Sequence, residues 1–186
     1  MFILPYIMRL YNILGLVGFI FSAIAAGLGA SISLSAIGFF PWGLSIVLRG
    51  IGWILCSRAL NSILYLATGA AVIVLGISSI GSMIFVISIL PSFQGTESLS
   101  PFFLPAILWA LYSLMEFFSY LSLKTRWFRI ASTNIVAIAI ILVATIPLNI
   151  ISDGAGIFLV IGSFIIMVIS AIFAAVGFSK VSPANP

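Results

Sequence analysis

Apolar residues dominate the chain in long stretches, and polar positions fall between them in short clusters. A run such as Ile135 to Ala144, IVAIAIILVA, is apolar on every side of any helix or strand it could form. A barrel strand would alternate lipid-facing and inward-facing residues over about ten positions, and that alternation is missing. The stretches approach or exceed the roughly 18 to 20 residues a helix needs to cross a ~30 Å hydrocarbon layer. Six spans are predicted, at Leu10–Ser31, Ile37–Cys56, Ser62–Ile89, Phe102–Leu123, Ile130–Ile150 and Gly156–Ser179. The expected fold is an all-α integral membrane protein, a single domain over residues 1–186 made of six transmembrane helices. Leu10 to Phe40 is too long for one upright helix, so it must break near Ser31–Ser35 or tilt strongly.

Composition agrees: 63% of residues are hydrophobic and 5% charged, against about 25% charged in soluble domains. The net charge of +4 would suggest nucleic acid in a soluble protein. Here the positive-inside rule accounts for it, because Lys and Arg collect in cytoplasmic loops. Arg58, the KTRWFR cluster (Lys124, Arg126 and Arg129), Lys180 and Arg9 all fall on one side of a six-span layout. That side is expected to be the cytoplasm, with both termini inside and the basic residues as topological anchors. Trp127 and Phe128 are expected in the headgroup layer. An alternative layout has five spans, with Ile37–Arg58 lying along the interface so that Arg49 stays out of hydrocarbon. A cleaved signal peptide fits poorly, since the first apolar stretch continues past Ala23-Ile24-Ala25.

Two charges lie inside spans. Arg49 precedes Arg58 by nine positions and Glu116 precedes Lys124 by eight. At 1.5 Å per residue both sit about 12–14 Å from the basic boundary, near the midplane. Equal depth and opposite sign predict an intramembrane ion pair. A weak internal repeat supports it: FFPW (Phe39 to Trp42) and FFLPAILW (Phe102 to Trp109) each open a span with Phe, a Pro in or near the first turn and a Trp, and each is followed by a mid-span charge and a basic turn. Trp109, Tyr112, Ser113, Glu116, Ser119 and Tyr120 share one helix face, and Ser45, Arg49, Gly52, Trp53 and Cys56 share another. Two readings stay open: the pair locks two helices, or Arg49, Glu116, Tyr112 and Trp109 form an ion or ligand site.

In the first span, Gly15, Gly18, Ser22, Ala26 and Gly29 make a small-residue face of the kind that lets helix backbones approach in lipid. It would grip another span or dock a neighbouring subunit. The expected partners are therefore the bilayer and other membrane subunits or a second copy, with no nucleic acid. Catalysis is not expected. The chain has no His and a single Cys, so common metal and haem ligands are missing, and there is no GxSxG, HExxH or Gly-Lys phosphate loop. No cofactor is expected.

Three blocks, LCSRALNSILYLATGAAVIVLGI (Leu55 to Ile77), SLKTRWFRIASTNIVAIAIIL (Ser122 to Leu142) and GSFIIMVISAIFAAVGFSKV (Gly162 to Val181), share a basic turn feeding a Gly/Ala-rich helix or an aromatic and basic helix end. In these the chain resembles small archaeal multi-pass membrane proteins of unknown function. The resemblance implies an archaeal cytoplasmic membrane and no activity. The expected function is a non-enzymatic accessory or structural subunit of a membrane complex, or a stand-alone bundle. The alternative is a small-solute transporter or its membrane-embedded binding component, which would need a midplane cavity lined by Arg49, Glu116, Tyr112 and Trp109.

Overall fold

The computed structural model describes residues 3–29, 35–89, 100–145 and 155–181. Its helices are α1 (Ile3–Gly29), α2 (Ser35–Leu60), α3 (Ile63–Ile89), α4 (Phe103–Ser122), α5 (Arg126–Ala131), α6 (Asn134–Thr145) and α7 (Ala155–Lys180). Six spans are long and apolar enough to cross a bilayer, the fifth being α5 and α6 together from Arg126 to Val143. The protein is a multi-pass membrane protein. Polarity is arranged for lipid: Ile63 is 81% exposed and Phe40 78%, while Ser45, Thr68, Ser79 and Ser119 are fully buried. With no water outside, polar groups are favoured by partners inside the bundle; Thr68 bonds Ser119 and Ser79 donates to the Pro105 carbonyl, whereas the Ser45 hydroxyl has no partner among the described residues.

The five-span alternative is overturned. Ile37–Leu60 is a full span packed between α1 and α3, with Ile46, Trp53 and Cys56 fully buried along it. An interfacial helix would leave one side in the headgroups. The helix also runs a turn beyond Cys56 because its stop signal comes later. Asn61 adopts a left-handed φ of 48°, and the Ser62 amide donates to the Ser57 carbonyl at 3.1 Å, the six-to-one bond that closes a helix end. Pro41 stands further in than expected, seven residues along α2. The helix starts ahead of the FFPW motif, at Ser35, so Pro41 removes an interior hydrogen bond to Ile37. Pro105 does sit in the first turn of α4.

The KTRWFR cluster is only partly a loop. Lys124 takes a left-handed φ of 51°, and the Thr125 hydroxyl caps α5 by accepting from the Phe128 amide. Arg126 and Arg129 remain exposed, but Phe128 is fully buried, stacked on Tyr120 at 5.3 Å and edge-on to Phe178 at 5.5 Å. Its expected place in the headgroup layer is therefore corrected; helix formation from Arg126 turns it inward. Trp127 does lie beside cations, with Arg126 Cζ 4.5 Å and Lys180 Nζ 4.8 Å from its ring.

The fifth span is not one helix, as Ile130–Ile150 was expected to be. The Ser132 and Thr133 hydroxyls donate to the Arg129 and Ile130 carbonyls at 2.6 and 2.7 Å. There the backbone tightens to three-residue bonds, the Ile135 amide donating to Ser132 instead of Ala131. The freed Ala131 carbonyl is satisfied from another helix, by the Ser170 hydroxyl of α7. The end of this span beyond Thr145, the break expected near Ser31–Ser35, and the segments carrying Glu97 and Asp153 lie outside the described residues.

Glycines set the close contacts. A Cβ at Gly18 would stand 2.8 Å from the Arg49 backbone nitrogen, and one at Gly29 2.7 Å from the Phe164 ring. The small-residue face of α1 is thus occupied within the bundle, by α2 on one side and α7 on the other.

One end of the bundle gathers the basic residues. The Tyr11 hydroxyl donates to the Val181 carbonyl at 2.8 Å, and Tyr65 bonds Ser122 at 2.8 Å. These contacts bring the third turn of α1 and the first turn of α3 level with the ends of α7 and α4, so Arg58, Lys124, Arg126, Arg129 and Lys180 share that end.

Candidate functional site

The site is built where α1 and α2 touch most closely. Gly18 admits the α2 backbone at Arg49, and the guanidinium then reaches past α1 towards α4. Arg49 Nη2 donates to Glu116 Oε2 at 2.9 Å, and both side chains are almost completely buried. Trp53, one turn beyond Arg49, donates from Nε1 to Glu116 Oε1 at 3.1 Å. Both carboxylate oxygens therefore receive a proton donor from α2. On the cation, Nη1 donates to Ser22 Oγ at 3.1 Å, and the Phe19 ring centroid lies 4.9 Å from Cζ. Nε has no partner.

Charge-assisted hydrogen bonds of this kind are about twice as strong as neutral ones. In hydrocarbon they offset, rather than exceed, the desolvation of the two groups. The cluster is consequently specific more than stabilising: it fits only one register of α1, α2 and α4. Trp53 adds to that specificity, since it also stacks on Tyr65 at 5.7 Å and meets Phe178 edge-on at 4.7 Å.

The face read from spacing in α4 is continuous, with Tyr112, Ser113, Glu116, Ser119 and Tyr120 all buried. Ser119 continues the polar seam to α3, where the Thr68 and Ser119 hydroxyls bond at 2.7 Å. Trp109 and Tyr112 lie on the opposite side of the pair from the basic end. Trp42 packs on Trp109 at 5.0 Å and donates to the Tyr112 hydroxyl at 3.3 Å. The two Trp residues of the internal repeat thus meet each other. The parts that pattern reading did not assign to the pair are Trp53, Phe19 and Trp42. Trp53 was signalled by its four-residue spacing from Arg49; Phe19 carries no such signal.

Beside the pair lies a cavity of about 120 Å³. Arg49, Ser22, Tyr112, Trp109 and Asn134 are in its lining, whereas Glu116 is not. The four residues expected to form one site are therefore divided. Arg49 and Glu116 are paired, and Arg49 alone of the two charges faces the cavity with Tyr112 and Trp109. Asn134 reaches it because the break at Ser132–Thr133 starts α6 there.

Comparisons with protein-family models, with curated proteins and with solved structures found no match.

Proposed function

We propose that the chain is a non-enzymatic membrane protein whose Arg49–Glu116 pair acts as a structural lock, in an accessory subunit of a larger complex or a stand-alone bundle. The observation that carries this reading is the mutual satisfaction of the pair: two opposite charges at bonding distance, enclosed, with Trp53 and Ser22 taking further positions. A buried charge kept for chemistry would need access to a reactant, and Glu116 has none, being 1% exposed and away from the cavity. Among the described residues no cluster of His, Cys, Asp and Glu is suited to hold a metal ion. The one-sided basic residues favour both termini in the cytoplasm, and the resemblance favours an archaeal cell membrane. The cavity favours a second reading, a small-solute carrier or its membrane-embedded binding component. Purification in mild detergent, with identification of co-purifying chains and small molecules, separates the two. A stoichiometric protein partner supports the accessory role; a bound small molecule without one supports the carrier.

A further inference from the structure

The cavity beside Arg49 has a definite chemistry. Among the described residues its only charged lining residue is Arg49, and that charge is already balanced by Glu116 at 2.9 Å. The exposed Lys and Arg residues lie at the basic end, and Glu97 and Asp153 belong to segments outside the described residues. A ligand with a net charge would enter a low-dielectric site with no free counter-charge, at high cost.

The polar lining holds unused donors. Arg49 Nε is fully enclosed and is not one of them. Ser22 Oγ accepts a bond from Arg49, and among the described residues it finds no acceptor for its own hydrogen; the Tyr112 hydroxyl accepts from Trp42 and is fully buried. The Asn134 amide adds two N–H donors and a carbonyl oxygen that can accept two bonds. An acceptor on a ligand would engage the Ser22 and Asn134 donors. On the other side the wall is flat and apolar, with Trp42 on Trp109, Phe164 6.4 Å from Trp109 and Phe39 6.1 Å from Trp42. At about 10–15 Å³ of such space per water, the cavity holds the equivalent of roughly eight to twelve waters, the size of a single substituted ring.

We propose that this cavity binds a small, uncharged ring compound carrying a carbonyl group, its oxygen facing Ser22 and Asn134 and its ring against Trp42 and Trp109. The proposal rests on the second reading above, that the cavity is a site. It is independent of the lock, because the Arg49–Glu116 bond and the Ser22 and Trp53 bonds beside it are all made within the bundle.

The test uses three probes of nearly one shape: benzamide, benzoate and benzamidine, titrated into the full chain in lipid nanodiscs. Tryptophan fluorescence and thermal melting are read together. Benzamide is expected to give a saturable fluorescence change and to raise the melting temperature, with benzoate and benzamidine at least tenfold weaker. Asn134→Leu, which keeps the volume, should weaken benzamide by about tenfold while the melt without probe stays near that of the parent. Ala25→Phe, which fills the cavity, should abolish the response. Equal or tighter binding of benzoate, a benzamide response unchanged in Asn134→Leu, or no saturable response to benzamide would each overturn the proposal. A failure here with the Arg49–Glu116 coupling intact removes the cavity reading and leaves the lock standing.

Discussion

At Gly69, in the first half of α3, a methyl group has nowhere to go. A Cβ built there would stand 2.6 Å from the Gly50 carbonyl oxygen and 2.9 Å from the Ile54 amide nitrogen, both backbone atoms of α2. Neither can rotate away, so Gly69→Ala must push α2 and α3 apart by roughly 0.5 Å or more, enough to forfeit about a quarter of the dispersion energy of the contacts that open. Overpacking of this kind costs about 1–3 kcal/mol. The opposing term is the better helix propensity of Ala, worth about 0.5–1 kcal/mol. The net expectation is a loss of about 1–2 kcal/mol. Gly81 on the same helix isolates the second term, because a Cβ there meets nothing within 4 Å. Gly81→Ala should therefore be neutral or stabilising by up to about 1 kcal/mol. Reversible unfolding by SDS in mixed micelles, followed by circular dichroism, measures both. Equal behaviour of the two variants, or a Gly69→Ala protein as stable as the parent, would refute the claim that α2 and α3 touch backbone to backbone.

Trp53→Phe keeps a ring in the stack with Tyr65 and Phe178 but removes the donor to Glu116. It should cost about 1.5–3 kcal/mol, the range for a hydrogen bond to a charged group, and a loss below about 0.5 kcal/mol in the same unfolding assay would show that the bond is not made. The basic end is expected to face the cytoplasm. In a Cys56→Ser background, an impermeant maleimide added outside should label Gly95→Cys, in the segment joining α3 to α4, and spare Lys124→Cys and Phe2→Cys; outside labelling of Phe2→Cys would reject the orientation.

The features legible in the sequence are those that lipid enforces. Unbroken apolar runs have few alternatives to a spanning helix, so most of the spans follow from length, while the choice of six over five turned on where Arg9 and Arg49 would lie. Two opposite charges at matched depth have few alternatives to each other, so Arg49 and Glu116 could be paired from their distances to Arg58 and Lys124. What stayed hidden depends on local competition for hydrogen bonds and on three-dimensional neighbours. Ser132 and Thr133 look like two tolerated polar residues, yet their hydroxyls bond back to the preceding turn and divide the span. Phe128 reads as an interfacial aromatic beside Trp127, and only the capping of α5 at Thr125 shows that it turns inward. The transporter alternative called for a cavity with Glu116 in its wall. The actual division arises because Trp53 and Arg49, both from α2, hold the carboxylate away from the open space.

The claim on which the rest depends is that Arg49 and Glu116 are coupled, and a double-mutant cycle tests it most directly. Arg49→Met and Glu116→Leu each strand a charge in hydrocarbon and should cost about 3–5 kcal/mol in the SDS unfolding assay. The combined variant strands none, so its loss should fall short of the sum by about 1–3 kcal/mol. Losses that add to within about 0.5 kcal/mol would mean that the two side chains do not meet.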